Sequence, residues 1–176
     1  MSLFVLGLVL IIRLVREYLV LGLGGLNYIG NILMVVGWGI GYVLGELDHL
    51  FYAYACNPQE LSCQRVRREI EKKDWKNAWG ILKETAGERT RLPVHNVLTG
   101  LIVAVVGIWT ITSSGSLLAS GVVLGLGTRL LFTFWQEKDY AKWYWIFARQ
   151  FTLREHNLIK WVWAALLLVS VIGLVR

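Results

Sequence analysis

Residues 158–175 read Leu-Ile-Lys-Trp-Val-Trp-Ala-Ala-Leu-Leu-Leu-Val-Ser-Val-Ile-Gly-Leu-Val, a run with no acid and a single lysine near its start. A helix needs about 20 apolar residues to cross the hydrocarbon of a bilayer. Residues 97–111 form a second such run, and a chain of 176 residues has too small an interior to hide both from water. Composition agrees, with 17% charged residues against about 25% in a soluble domain. A water-soluble enzyme is thereby excluded. Disorder is excluded too, because nine Trp, seven Tyr and six Phe stand against two Pro.

Working outward, runs of this size bounded by charge or turn residues occur five times. Residues 28–45, 94–113, 116–135 and 158–175 contain no Asp or Glu. The fifth run, 3–23, holds Arg13, Arg16 and Glu17 near its middle, where each charge costs about 2.5–3.5 kcal/mol on insertion scales. Arg13 and Glu17 are four apart, the spacing at which they pair on a helix. No basic residue precedes this run and no small-residue cleavage site follows, so it is expected to stay attached rather than to be removed as a secretory signal. Residues 57–93 carry nine Lys and Arg and residues 136–157 four more, whereas the turns at 24–27 and 113–116 are uncharged. The positive-inside rule places the basic segments in the cytoplasm, with the N-terminus inside and the C-terminus outside. The expected fold class is all-α: a polytopic transmembrane helical bundle of about five spans, one integral membrane domain over 1–176. A bacterial or archaeal cytoplasmic membrane is the expected location.

The loop 57–93 has structure of its own, since Leu61, Val66, Ile70, Trp75, Trp79 and Leu82 recur at helical intervals among charges. Two amphipathic helices fit, with Asp74 as N-cap of the second and Gly87 as its stop. Facing an anionic leaflet, Arg65, Arg67, Arg68, Lys72 and Lys73 would reach headgroups while Trp75 and Trp79 insert at the interface, at about 1 kcal/mol per basic residue. A solvated pair covering the helix ends fits equally well. The aromatic stretch 135–151 reads as an interfacial belt. Cys56 and Cys63 lack the spacing of a zinc or redox motif and read as ordinary thiols. The lipid bilayer and its anionic headgroups are the expected partners, and nucleic acid is not. Gly37, Gly41 and Gly45 follow the small-xxx-small rule and serve either packing within the bundle or a homo-oligomer seam.

Chemistry, if present, gathers where polar residues meet the spans. Glu46-Leu47-Asp48-His49 ends the second span, and His95 opens the third on the same side. Carboxylates with imidazoles are the vocabulary of a zinc or manganese site and equally of a general-base pair. The plainer alternative is a helix C-terminus in which His49 complements the dipole and the acids meet arginines of the next loop. Arg129 lies six residues before Trp135, about 9 Å deep at 1.5 Å per residue. A guanidinium at that depth needs a carboxylate, and Glu46 or Asp48 is the expected partner.

The segment Gly45-Glu46-Leu47-Asp48-His49, followed by a charged loop and by Arg91-Leu92-Pro93-Val94-His95 at a span start, resembles a family of small inner-membrane metal-dependent hydrolases. That family ends an early span in Pro-Asp-x-Asp-His, has a later His at a span start, and carries His and Asp four apart on a glycine-rich late span. The resemblance implies a divalent metal, zinc or manganese, held by Asp48, His49 and His95, with Glu46 and Asp48 as catalytic carboxylates. The late-span positions fall on Arg129 and Thr133, where neither residue supplies the expected ligand. A guanidinium at 129 would instead pair with Glu46 or Asp48, a fixed positive charge in place of a metal, and the expected ion pair is Arg129 with Glu46.

Overall fold

The computed structural model describes residues 2–21, 27–52, 61–85 and 92–175. Among them the chain is helical with no strand: α1 (Ser2–Leu21), α2 (Tyr28–Phe51), α3 (Leu61–Glu71), α4 (Trp75–Glu84), α5 (Val97–Ser113), α6 (Leu117–Gln136), a 3-10 turn at Tyr140–Tyr144, and α7 (Leu153–Val175). Local capping sets several of the starts. The side chains of Asn27, Asn96 and Ser116 accept hydrogen bonds from the amides of Gly30, Thr99 and Ala119, satisfying donors that a helix start leaves open.

Three helices, α2, α6 and α7, are long and apolar enough to cross a membrane, and the apolar α5 is shorter. Ile32, Val36, Ile40, Ile102, Trp109 and Ile172 point outward from them, while Asn31, Thr110, Ser120 and Ser170 are buried. An apolar surface with a few polar groups turned inward is compatible with a membrane protein. Five spans were expected, and α1 departs from that pattern. The Ser2 hydroxyl accepts a hydrogen bond from Trp38 Nε1 at 3.1 Å and lies 3.1 Å from Thr128 Oγ1, so α1 begins halfway along α2 and α6. Its charges then fall at the far end of the bundle. Arg13 donates to the Leu174 carbonyl at 2.8 Å and Arg16 to the Val175 carbonyl at 2.7 Å. The last carbonyls of α7 have no partner within their own helix, and cations complement the negative end of its dipole. Glu17 closes the group, accepting from Arg13 at 3.0 Å and from Asn31 Nδ2 at 3.1 Å.

The bundle is built on α2 and α6, which run parallel with their backbones in contact. A Cβ added at Gly37 would stand 2.2 Å from the Leu118 carbonyl oxygen, and one at Gly41 would stand 2.0 Å from that of Val122. Gly121 and Gly125 answer from α6, against the carbonyls of Met34 and Trp38. Gly45 faces the Arg129 side chain and Leu126. All three glycines of the expected oligomer seam are thus covered within one chain. α5 and α7 pack on the other side of α6, where Gly100 accommodates the buried Trp163 ring.

α3 and α4 form a hairpin around Val66, Leu82 and the buried Cys63, with Tyr52 and Leu92 against it. Lys73 turns the chain at φ 62°, and Asp74 caps α4. Cys56, Gly87, Arg89 and Arg91 lie outside the described residues. The aromatic stretch is only partly a belt. Trp143 and Tyr144 are buried against Phe134 and His156 and belong to the core, whereas Trp135, Trp145 and Phe147 are exposed. Burial pushes the Tyr144 hydroxyl up to about 12.

The α2–α6 contact makes a direct prediction. Gly41→Ala and Gly125→Ala should each destabilise the protein by about 1–3 kcal/mol through overpacking, read as a lower melting temperature in detergent. Gly39, where a Cβ meets nothing within 4 Å, should tolerate Ala with no loss.

Candidate functional site

The polar residues of the basic end are organised by one carboxylate. Asp48 Oδ2 accepts from the amides of Val94 and His95, both at 2.9 Å, and lies 2.9 Å from His95 Nδ1. A carboxylate acceptor requires a proton on Nδ1, so Nε2 is the ring nitrogen that this contact leaves free. Asp48 and His95 are both buried, and Asp48 Oδ1 has no hydrogen-bond partner among the described residues. The chain is held here because Pro93 and the N-cap Asn96 keep 93–96 out of the helix. The expectation that His95 opens the span is corrected accordingly: α5 starts at Val97, with His95 in the turn before it. Asp48 therefore ties the end of α2 to the entry of α5.

Half a turn away, Arg129 Nη2 forms an ion pair with Glu46 Oε1, and its guanidinium carbon lies 4.8 Å from the Tyr42 ring centre. The two ion-paired side chains are 24% and 23% exposed. Arg129 Nε is buried without a hydrogen-bond partner among the described residues. Beside this pair opens a cleft of about 340 Å³, walled by Tyr42, Glu46 and His49 of α2, Trp79 and Lys83 of α4, and Arg129 of α6. Tyr42 and Lys83 were not singled out from the sequence. The signal was present, since Tyr42 precedes Glu46 by four residues and Lys83 follows Trp79 by four, the spacing of neighbours on a helix face.

The structure brings His49 and His95 together with ring centres 5.4 Å apart. Asp48, His49 and His95 nevertheless do not fit the metal set that the resemblance implies. Among the described residues no three His, Cys, Asp or Glu side chains converge where a cation could sit. Asp48 has spent Oδ2 on three donors, and Glu46 faces a fixed guanidinium. His156 lies elsewhere, bonded to the Tyr144 hydroxyl at 3.0 Å and stacked on Tyr140. Of the basic loop residues, Arg65, Arg68, Lys72 and Lys73 are exposed and Arg67 is half-buried. Lys72 pairs with Glu69 at 2.8 Å. Trp75 is 60% exposed and Trp79 36%.

No family model, curated protein or solved structure matches this chain.

Two outcomes follow from the geometry. Asp48→Ala strands two backbone donors, each worth about 1–3 kcal/mol, and should lower stability by about 2–5 kcal/mol in detergent unfolding. Arg129→Ala should cost about 1–3 kcal/mol, between the values of exposed and fully buried pairs. Adding Glu46→Gln should recover part of that loss, as measured in a double-mutant cycle.

Proposed function

We propose that this chain is an integral protein of the cytoplasmic membrane, its basic end inside, and that the α3–α4 hairpin lies in the headgroup layer and binds anionic lipid. The observation that carries this reading is the depth of α4. Trp79 and Lys83 share a cleft with Tyr42 and Arg129. Tyr42 lies nine residues before the end of α2 and Arg129 seven before the end of α6, about 14 Å and 10 Å inside the helix ends. A hairpin folded back to that level meets headgroups rather than projecting into water. Its exposed stripe Trp75–Trp79–Lys83, at four-residue intervals, places aromatic rings and an ammonium along the boundary they prefer.

The surrounding charges support the same partner. Arg65, Arg68, Lys72 and Lys73 are exposed on or beside α3. Inside the cleft the Lys83 and Arg129 cations face one carboxylate, Glu46. Such a surface attracts an anionic leaflet at about 1 kcal/mol per well-placed basic residue. The hydrolase reading has less support, because among the described residues no three His, Cys, Asp or Glu side chains converge where a cation could sit.

The test uses the full chain in nanodiscs. Trypsin cleavage at Lys72, Lys73 and Lys76 should be slower in phosphatidylglycerol discs than in phosphatidylcholine discs. Salt of about 1 M, where the Debye length falls to about 3 Å, should remove the difference. Equal cleavage rates in the two lipids would overturn the proposal.

A further inference from the structure

A second lipid-facing feature lies away from the hairpin, on the opposite side of α6. Because α1 starts only at the level of Trp38 and Thr128, the groove between α6 and α7 is left uncovered along its basic half. The space is about 500 Å³ and almost wholly apolar, walled by Val5 and Leu8 of α1, Leu131 and Phe132 of α6, and Ala164 and Leu168 of α7. It reaches from Thr128 to Gln136 on α6. Eight residues of helix rise about 12 Å, close to the roughly 15 Å depth of one leaflet's hydrocarbon.

The mouth of the groove carries a charge. Lys160 is one turn from Ala164 on the same stripe of α7, and its ammonium lies 5.6 Å from the Trp135 ring centre and 6.0 Å from that of Phe134. Trp161 meets Trp135 edge-on at 5.4 Å. No carboxylate among the described residues pairs with Lys160. Aromatic faces compensate a cation only in part, and the more so where water is scarce. An apolar slot of about one leaflet's depth, topped by an unpaired ammonium over the Trp135 and Phe134 rings, matches a molecule with a hydrocarbon chain below and an anion above.

We infer that this groove binds one acyl chain of an anionic phospholipid, with Lys160 holding the headgroup phosphate. The inference rests on the membrane reading above but not on the hairpin. Ala164 is the residue that keeps the slot open, and Lys160 sets the headgroup preference. A second copy of this chain inserting a helix there is the competing occupant.

Native mass spectrometry of the full protein in mild detergent, offered phosphatidylglycerol or phosphatidylcholine, tests it. The wild type should retain one phosphatidylglycerol about fivefold better than phosphatidylcholine, the effect of one lysine at an anionic surface. Lys160→Gln should bind both lipids alike. Ala164→Phe should lose both while keeping its melting temperature, and Ala164→Leu provides a milder filling if the larger ring prevents folding. The hairpin variant Lys72→Gln/Lys76→Gln should keep the retained lipid, which separates failure of this site from failure of the hairpin reading. Equal retention of the two lipids by wild type, undiminished retention in the filled variants, or a dimer lost on filling would overturn the inference.

Discussion

Backbone contact between α2 and α6 is the constraint on which the other placements rest. Lipid offers apolar helices little reason to associate, so close approach must supply the dispersion contacts that water exclusion supplies elsewhere. Gly37, Gly41, Gly121 and Gly125 remove the side chains that would hold the two axes apart. Once the helices touch, Gly45 lies against Arg129, and the guanidinium reaches Glu46 across the pair. The same parallel arrangement sets Trp38 beside Gly125, where its indole N–H finds Ser2 and fixes the level at which α1 begins.

Several charged groups in this fold are tied to backbone ends as well as to one another. Arg13 and Arg16 complete the last carbonyls of α7, and Asp48 completes the amides before α5. In a medium without water these are the groups that would otherwise stay unsatisfied. That explains how a first helix with three central charges is tolerated, and why a buried aspartate beside a histidine need not signal a metal.

These ties were the part of the structure that the sequence concealed. The apolar runs and the amphipathic period of the hairpin are local patterns, and Asp74 as a cap is a local rule, so they could be read directly. A side chain that binds backbone amides leaves no mark at its target, because every residue except proline has an N–H. Arg13 and Leu174 are separated by 161 positions, and nothing in either segment names the other. That Arg129 needs a carboxylate follows from its depth, but Glu46 and Asp48 are only two positions apart, and helix packing decides between them. Trp143 and Tyr144 misled for a similar reason: a belt and a buried aromatic plug have the same composition and differ only in what covers them.

The apolar helices are unequal in length. α2 has 24 residues and α5 has 17, about 36 Å and 25 Å of helix, set against roughly 30 Å of hydrocarbon. If α5 crosses the proposed membrane, the two leaflets on its flank would have to dip toward each other or the helix to stand nearly upright, whereas α2 could tilt. The protein thus presents a thin side and a thick side to its surroundings. In the membrane proposed above, a bilayer around the protein would be thinned more on the α5 flank than on the α2 flank.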